Sequence, residues 1–205
     1  MTGVVLLEAS GLACARGARA VVEGVDLALR GGDAVILRGA NGAGKSTLLR
    51  TLAGLVPPAA GAVRYRLASG VETDAAGDAA CLLGHADAAT GALTVAENLA
   101  FWAGVYGGQD RRAAAVDALD LDDLSRRPAT TLSAGQRRRF AMARLIVAGR
   151  PIWLLDEPTA SLDAANRERI ERVVADHCAS GGAVLVATHE PFAVAGARDA
   201  FLAAA

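Results

Sequence analysis

The nine residues GANGAGKST, positions 39–47, combine three glycines, one lysine and two hydroxyls in an order suited to gripping phosphate. They fit the pattern G-x-x-x-x-G-K followed by Ser or Thr, after the apolar run AVIL and at the start of a helix-forming stretch, which is the context the pattern requires. Gly39, Gly42 and Gly44 allow backbone N–H groups to turn inward around phosphate oxygens, with Ala40, Asn41, Ala43 and Thr47 completing the cradle. The helix opening near Lys45 aims its positive end at the β-phosphate. The Lys45 ammonium reaches the β and γ oxygens, and the Ser46 hydroxyl is a ligand for Mg2+. No N/T-K-x-D sequence of the kind that reads guanine is present, so ATP is the expected nucleotide.

IWLLDE places Asp156 and Glu157 at the carboxyl end of an uninterrupted apolar strand, the end that a parallel α/β sheet presents to a nucleotide. Asp156 is expected to hold Mg2+, directly or through water, and Glu157 to polarise an attacking water. A second phosphate surface comes from LSAGQRRR, residues 132–139. Ser133 is placed to cap a helix with Gln136 three residues on, and the Ser133 hydroxyl, the Gly135 N–H and the helix dipole all favour an anion. Two phosphate surfaces far apart in one chain suggest a γ-phosphate sandwiched between two copies. Arg137, Arg138 and Arg139 read as a solvated helix face, with Arg137 nearest the triphosphate. His189, after AVLVAT, and His85, after CLLG, each stand at a strand end where packing and chemistry are both open readings.

These motifs together resemble the ATP-binding cassette ATPases. LSAGQ resembles the LSGGQ signature and lies 23 positions before Asp156; the S-L-D at 161–163 resembles the D-loop, and His189 the switch histidine. The resemblance covers essentially the whole chain. It implies a P-loop NTPase of the cassette type, α/β in class, with an antiparallel β edge subdomain and a small helical subdomain. It implies a head-to-tail, twofold homodimer in which each nucleotide lies between one subunit's phosphate loop and the other's Ser133, Gly135 and Gln136. Glu157, His189 and Lys45 become the catalytic set, His189 touching the γ-phosphate, and Asp163 orders the dimer interface. Arg16 stands where the family often stacks an aromatic on adenine; a guanidinium plane can also stack on a base. His85 lies eight residues before Leu93-Thr94-Val95, at the position of a family glutamine in the coupling loop. Imidazole carries an acceptor and a donor, so it imitates that amide in part and is a secondary metal or water contact.

The stretches LLGH, GALTVAENLAFW and LSAGQRRR, in a short chain, further resemble the ATP-binding subunit of the bacterial cytochrome c maturation transporter, described as a haem exporter. That implies integral membrane permease partners and a peripheral place on the cytoplasmic face of the inner membrane. An exporter of a different small substrate is the alternative. Chromosome-maintenance and translation relatives of the superfamily are not matched, since the chain has one cassette and no long coiled coil.

The elements needed to hold these residues are readable in outline. VVLLEASGLAC and AVVEGVDLALR form an antiparallel pair turning at 16–18; DAVILR, GAVRYR, AACLLGH, IWLLD and AVLVATH are further strands. KSTLLRTLAGL is helical, with Leu48, Leu49, Leu52 and Leu55 in one stripe and Pro57-Pro58 closing it. Residues 70–80 read as a surface loop, and 121–131 as a connection. Thr94 and Glu97 form a capping box for a helix bearing Phe101, Trp102, Val105 and Tyr106, candidates for a permease-docking groove but read first as a core stripe. Residues 111–120, 133–149 and 164–177 supply further helices. The expectation is one domain, 1–205, carrying an inserted helical subdomain at 94–131, with no regulatory domain after Phe201. Net charge −1 and pI near 6.3 give no global basic footprint for nucleic acid. Three cysteines without CxxC spacing point away from a disulfide framework, thiolate metal site or haem attachment. No apolar run is long enough to enter a membrane directly, and the first residues lack a signal-peptide pattern.

Overall fold

A computed structural model of the chain describes residues 3–17, 19–67, 69–84, 86, 88–160 and 162–202. GAVRYR joins an antiparallel sheet, but the other four apolar runs, with the stretch RDAF, form one parallel sheet. In chain order its strands are β3 (Ala34–Arg38), β6 (Ala80–Leu83), β7 (Ile152–Asp156), β8 (Ala183–Ala187) and β9 (Arg198–Phe201), arranged β6-β7-β8-β3-β9. The runs are continuous because both faces are covered, and successive residues serve different cores. Ile36, Leu83, Trp153, Leu155, Val184 and Val186 point to one cluster; Val35, Leu37, Leu154, Leu185 and Ala187 point to the other.

The second cluster is closed by an antiparallel sheet and one helix. β1 (Val5–Arg16), β2 (Arg19–Arg30), β4 (Ala60–Arg66) and β5 (Glu72–Thr73) run in the order β2-β1-β4-β5, and Leu7, Leu12 and Leu29 reach inward. α1 (Lys45–Leu52) adds Leu48, Leu49 and Leu52. The stripe ends there: Leu55 is 67% exposed, and the helix stops through Gly54, in left-handed backbone at φ 71°, before the two prolines are reached. Residues 70–80 are not simply a loop. They hold β5 and the short α2 (Ala76–Ala79), whose Ala76 and Ala79 are buried in this cluster.

The first cluster is roofed by α3 (Val95–Tyr106), α4 (Arg112–Ala118), α5 (Ala134–Ala148) and α6 (Ala164–Ala179). Both predicted capping boxes form. Thr94 Oγ1 accepts from Glu97 N while Glu97 Oε2 accepts from Thr94 N, and Ser133 with Gln136 does the same on α5. Asn98, 1% exposed, holds the approach to α3: its amide donates to the carbonyls of Thr90, Leu93 and Thr94 and accepts from Thr90 N. The 121–131 connection contains two 3-10 turns and buries Leu121 and Leu124. The predicted core stripe on α3 is divided. Trp102 and Tyr106 stack on each other and pack against the core, but Phe101 and Val105 are each 55% exposed.

α6 is fixed against β7 by a flat stack of His177 on Trp153, ring centroids 3.8 Å apart. His177 Nε2 donates to Pro151 O at 3.1 Å, and burial pushes its pKa from 6.5 down to about 4. Between those two values the unfolded chain binds a proton that the folded chain refuses, so stability is complete above pH 6.5 and declines toward pH 4. Chemical denaturation at pH 7 and pH 4.5 should show an acid-induced loss on the order of 3 kcal/mol from this residue. His177→Gln should flatten that part of the pH dependence; an unchanged slope would mean the ring titrates normally.

Candidate functional site

Three strand ends converge on one cleft of about 370 Å3, lined by Arg16, Val21, Asn41, Gly42, Gly44, Lys45, Ser46, Thr47, Arg50, Asp156, Glu157 and His189. Parallel register brings them there: Leu37 on β3 and Asp156 on β7 both lie opposite Ala187 on β8. Gly44 is required twice over. Its φ of 94° lies in the left-handed region, and a Cβ there would meet Val22 Cγ2 at 2.5 Å. It precedes a helix with no side-chain cap and no acid in its first turn, which leaves the N-terminal N–H groups and positive dipole available to an anion.

Lys45 is 8% exposed, and its ammonium is folded back inside its own loop. Nζ donates to Gly39 O at 2.7 Å and Ala40 O at 3.1 Å, and contacts His189 Nε2 at 2.9 Å. A lysine ammonium has only donors, so Nε2 accepts and the neutral ring carries its proton on Nδ1. Lys45 and His189, predicted separately from two motifs 144 residues apart, are thus in direct contact.

Asp156 is buried at the end of β7, and Glu157 follows with φ 48°. Left-handed backbone costs a non-glycine residue about 1–2 kcal/mol, so its neighbours must over-determine it. Glu157 N donates to Ala187 O at 2.8 Å, prolonging the β7–β8 ladder. The carboxylate Oε2 accepts from Thr188 Oγ1 at 2.8 Å, and the carbonyl accepts from Arg138 Nη2 at 2.7 Å. Thr188 was not singled out by the sequence, although a hydroxyl ending the apolar run AVLVA was the available signal. Arg38 was also missed. It ends β3, and its Nη1 donates to Thr188 O at 3.0 Å and Glu190 O at 2.9 Å, holding the backbone on either side of His189. Arg50, one turn beyond the phosphate loop on α1, lines the cleft as well.

The solvated face expected for residues 137–139 forms only at Arg137, which is exposed; Arg138 and Arg139 are half-buried. Arg137 Nε donates to Leu132 O, Arg138 reaches four backbone carbonyls, and Arg139 Nη1 donates to Leu119 O and Asp120 O with an ion pair to the Asp120 carboxylate at 3.0 Å. Helix-terminal carbonyls and loop carbonyls need donors, and these guanidinium groups supply them.

Ser133, Gly135, Gln136 and Asp163 do not line the cleft. Ser133 Oγ accepts from Gln136 N, and Gln136 Oε1 accepts from Ser133 N, so both serve the α5 cap. Asp163 caps α6, its Oδ1 accepting from Asn166 N at 2.8 Å. Gly135 faces α6, where an added Cβ would lie 3.4 Å from Asn166 Nδ2. Gly39, Ala40 and Ala43 form the back of the phosphate loop, with Ala43 buried. Arg16, at the end of β1, is exposed and reaches the cleft wall. His85 lies outside the described residues.

The ABC transporter family profile matches residues 22–160. The chain is 47% identical over 201 residues to the cytochrome c biogenesis ATP-binding export protein CcmA of Rhodopseudomonas palustris strain BisB5, covering 97% of this chain and 98% of that one. It is 51% identical to CcmA of Cereibacter sphaeroides, covering 89% of this chain and 82% of that one. Among solved structures it is similar to the ATP-binding subunit of an ABC transporter, with TM-score 0.80, 25% identity, and coverage of 90% of this chain and 79% of that one. A dimeric ATP-binding cassette in a post-hydrolysis state with ADP and Pi shares the fold, at TM-score 0.77, 24% identity, and coverage of 90% and 88%. With its phosphate loop, carboxylate pair and histidine gathered in one cleft, the chain belongs to the ABC transporter family as an ATP-hydrolysing subunit related to the cytochrome c biogenesis export proteins.

Proposed function

We propose that this chain drives a cytochrome c biogenesis exporter, with haem export as the implied transport step, by hydrolysing ATP at the interface of two copies. The end-to-end identity with CcmA of R. palustris carries the transport reading. The cleft supports the chemistry. The triphosphate would take the N-terminal N–H groups of α1 and the Lys45 ammonium, which must exchange Gly39 O, Ala40 O and His189 for phosphate oxygens. That exchange frees His189 to change tautomer and present an Nε2–H to the γ-phosphate, whose oxygens only accept. Glu157, oriented by Thr188, accepts a proton from the attacking water. Arg16 stacks on the base.

Ser46 and Asp156 face the same cleft, and a hydroxyl with a carboxylate is the hard oxygen set that Mg2+ takes. They would hold it, with His85 as the secondary contact that the resemblance implies, and the bound ion would neutralise charge on the β and γ oxygens.

Ser133, Gly135, Gln136 and Asp163 lie away from this cleft, which supports a head-to-tail homodimer in which a second copy's α5 N-terminus closes each site. Residues 94–131 act as a helical subdomain packed on α5 through α3 and α4. Beside it lies a groove of about 520 Å3 in which Tyr106 and Arg144 face Leu55, Leu82, Gly84 and Ala86. With Phe101 and Val105 exposed on α3, it supports docking of permease subunits. Among the described residues no helix is long and apolar enough to cross a membrane, in keeping with a peripheral subunit held at the cytoplasmic face of the bacterial inner membrane by that permease.

Lys45→Ala should weaken MgATP binding about tenfold or more in fluorescence titration, the worth of charge-assisted hydrogen bonds. Retained tight binding would contradict the phosphate-loop assignment. Glu157→Gln should bind MgATP within about twofold of the natural chain yet hydrolyse it about 100-fold more slowly, as loss of a general base does. An unchanged rate would remove Glu157 from that role. For the transport reading, a strain lacking this gene should lose covalent haem in its c-type cytochromes and regain it with the natural gene but not with Glu157→Gln. Normal c-type cytochromes in the deletion strain would favour an exporter of a different small substrate.

A further inference from the structure

Arg138 bonds both to the backbone of Glu157 and to the end of the neighbouring strand β6. Its Nη2 donates to Asp156 O at 2.5 Å and Glu157 O at 2.7 Å, its Nε to Pro158 O at 3.0 Å, and its Nη1 to Gly84 O at 2.7 Å. β6 and β7 are adjacent and parallel, with Leu83 opposite Leu155, so one planar fork spans the exits of both strands. The same residue stands on α5, five positions after Ser133. Three segments therefore share one guanidinium: the helix whose N-terminus offers the second phosphate surface, the loop leaving β6 toward the groove, and the catalytic carboxylate's own backbone.

Glu157 is the sensitive member of this set. Its φ of 48° is a minor conformation for a side-chain-bearing residue, and relaxing it to right-handed or extended backbone would swing the carboxylate away from Thr188. A fixed donor on the Glu157 carbonyl opposes that relaxation. Displacement of Gly84 or of the first turn of α5 pulls on the same donor. We infer that Arg138 is a positioning residue that transmits the placement of the β6 exit loop and of the α5 N-terminus to Glu157, holding the carboxylate in its hydrolytic orientation. This deepens the ATPase reading of the cleft and rests on it.

Lysine keeps the charge and a long stem, but a single ammonium cannot span carbonyls on two strands as the guanidinium fork does. In the full-length chain, Arg138→Lys and Arg138→Gln should bind MgATP within about twofold of the natural protein, while single-turnover hydrolysis slows about tenfold or more, a split expected of misplacement rather than lost affinity. Arg138→Lys guards against a glutamine variant that fails to fold, and cooperative thermal unfolding of both is the check. The decisive comparison repeats Arg138→Lys in a Glu157→Gln background. If Arg138 acts through Glu157, the second change costs almost nothing further. Natural rates in both single variants would overturn the assignment alone, as would a full additional loss in the Glu157→Gln background. No hydrolysis by the natural chain, even with its permease, would overturn the ATPase reading and this assignment together.

Discussion

Ala187 has two neighbours that cannot move independently of it: Leu37 pairs with it from β3, and Asp156 from β7. Parallel hydrogen bonding fixes that register, and burial of both sheet faces protects it, because slipping a strand by one residue would send each side chain to the opposite core. Everything with chemical capacity hangs just beyond this level. The phosphate loop leaves β3, the carboxylate pair ends β7, and Thr188 and His189 follow β8. A sheet built for packing thus delivers a cation, a carboxylate pair and an imidazole to one cleft from three separate strand ends.

That placement leaves local demands which the surrounding arginines meet. Loops at strand ends expose carbonyls that cannot enter a ladder. Arg38 ties the carbonyls flanking His189, and Arg138 those around Glu157. Both are multidentate, so each fixes backbone direction as well as neutralising carbonyl dipoles. The left-handed Glu157 is the most strained residue of the cleft, and it is gripped at N–H, carbonyl and carboxylate alike. Lys45 is restrained differently. Its partners, Gly39 O, Ala40 O and His189, are ones a triphosphate can replace. The cleft therefore combines a rigid acid with an exchangeable cation.

The motif residues were legible because their chemistry needs fixed types at fixed spacing. The glycines, Lys45 and Ser46 announce a phosphate loop, and Asp156-Glu157 after IWLL announces its partner strand. Strands buried on both faces and helices with capping boxes were legible for the same reason: pattern and cap are local. What escaped was tertiary. An arginine run reads as solvated surface until the carbonyls it meets, on strands 18 to 54 residues away, are known. Phe101 and Val105 share a helix stripe with Trp102, yet only the structure shows which side of α3 is left open. Leu55 fits the helical period of α1 but falls after Gly54 has turned the chain away. β9, four residues with no buried run of its own, gave no period to read.

The cleft is proposed to be half of a site, completed by the α5 N-terminus of a second copy. Mixing two separately inactive variants, Lys45→Ala and Ser133→Arg, tests it directly. In a head-to-tail pair, a mixed dimer contains one site with both lesions and one with neither. Random pairing in an equal mixture should therefore restore ATP hydrolysis to about a quarter of the natural rate. A mixture no more active than the two variants assayed apart would rule out the shared site, because it would place phosphate loop and signature in the same chain's site.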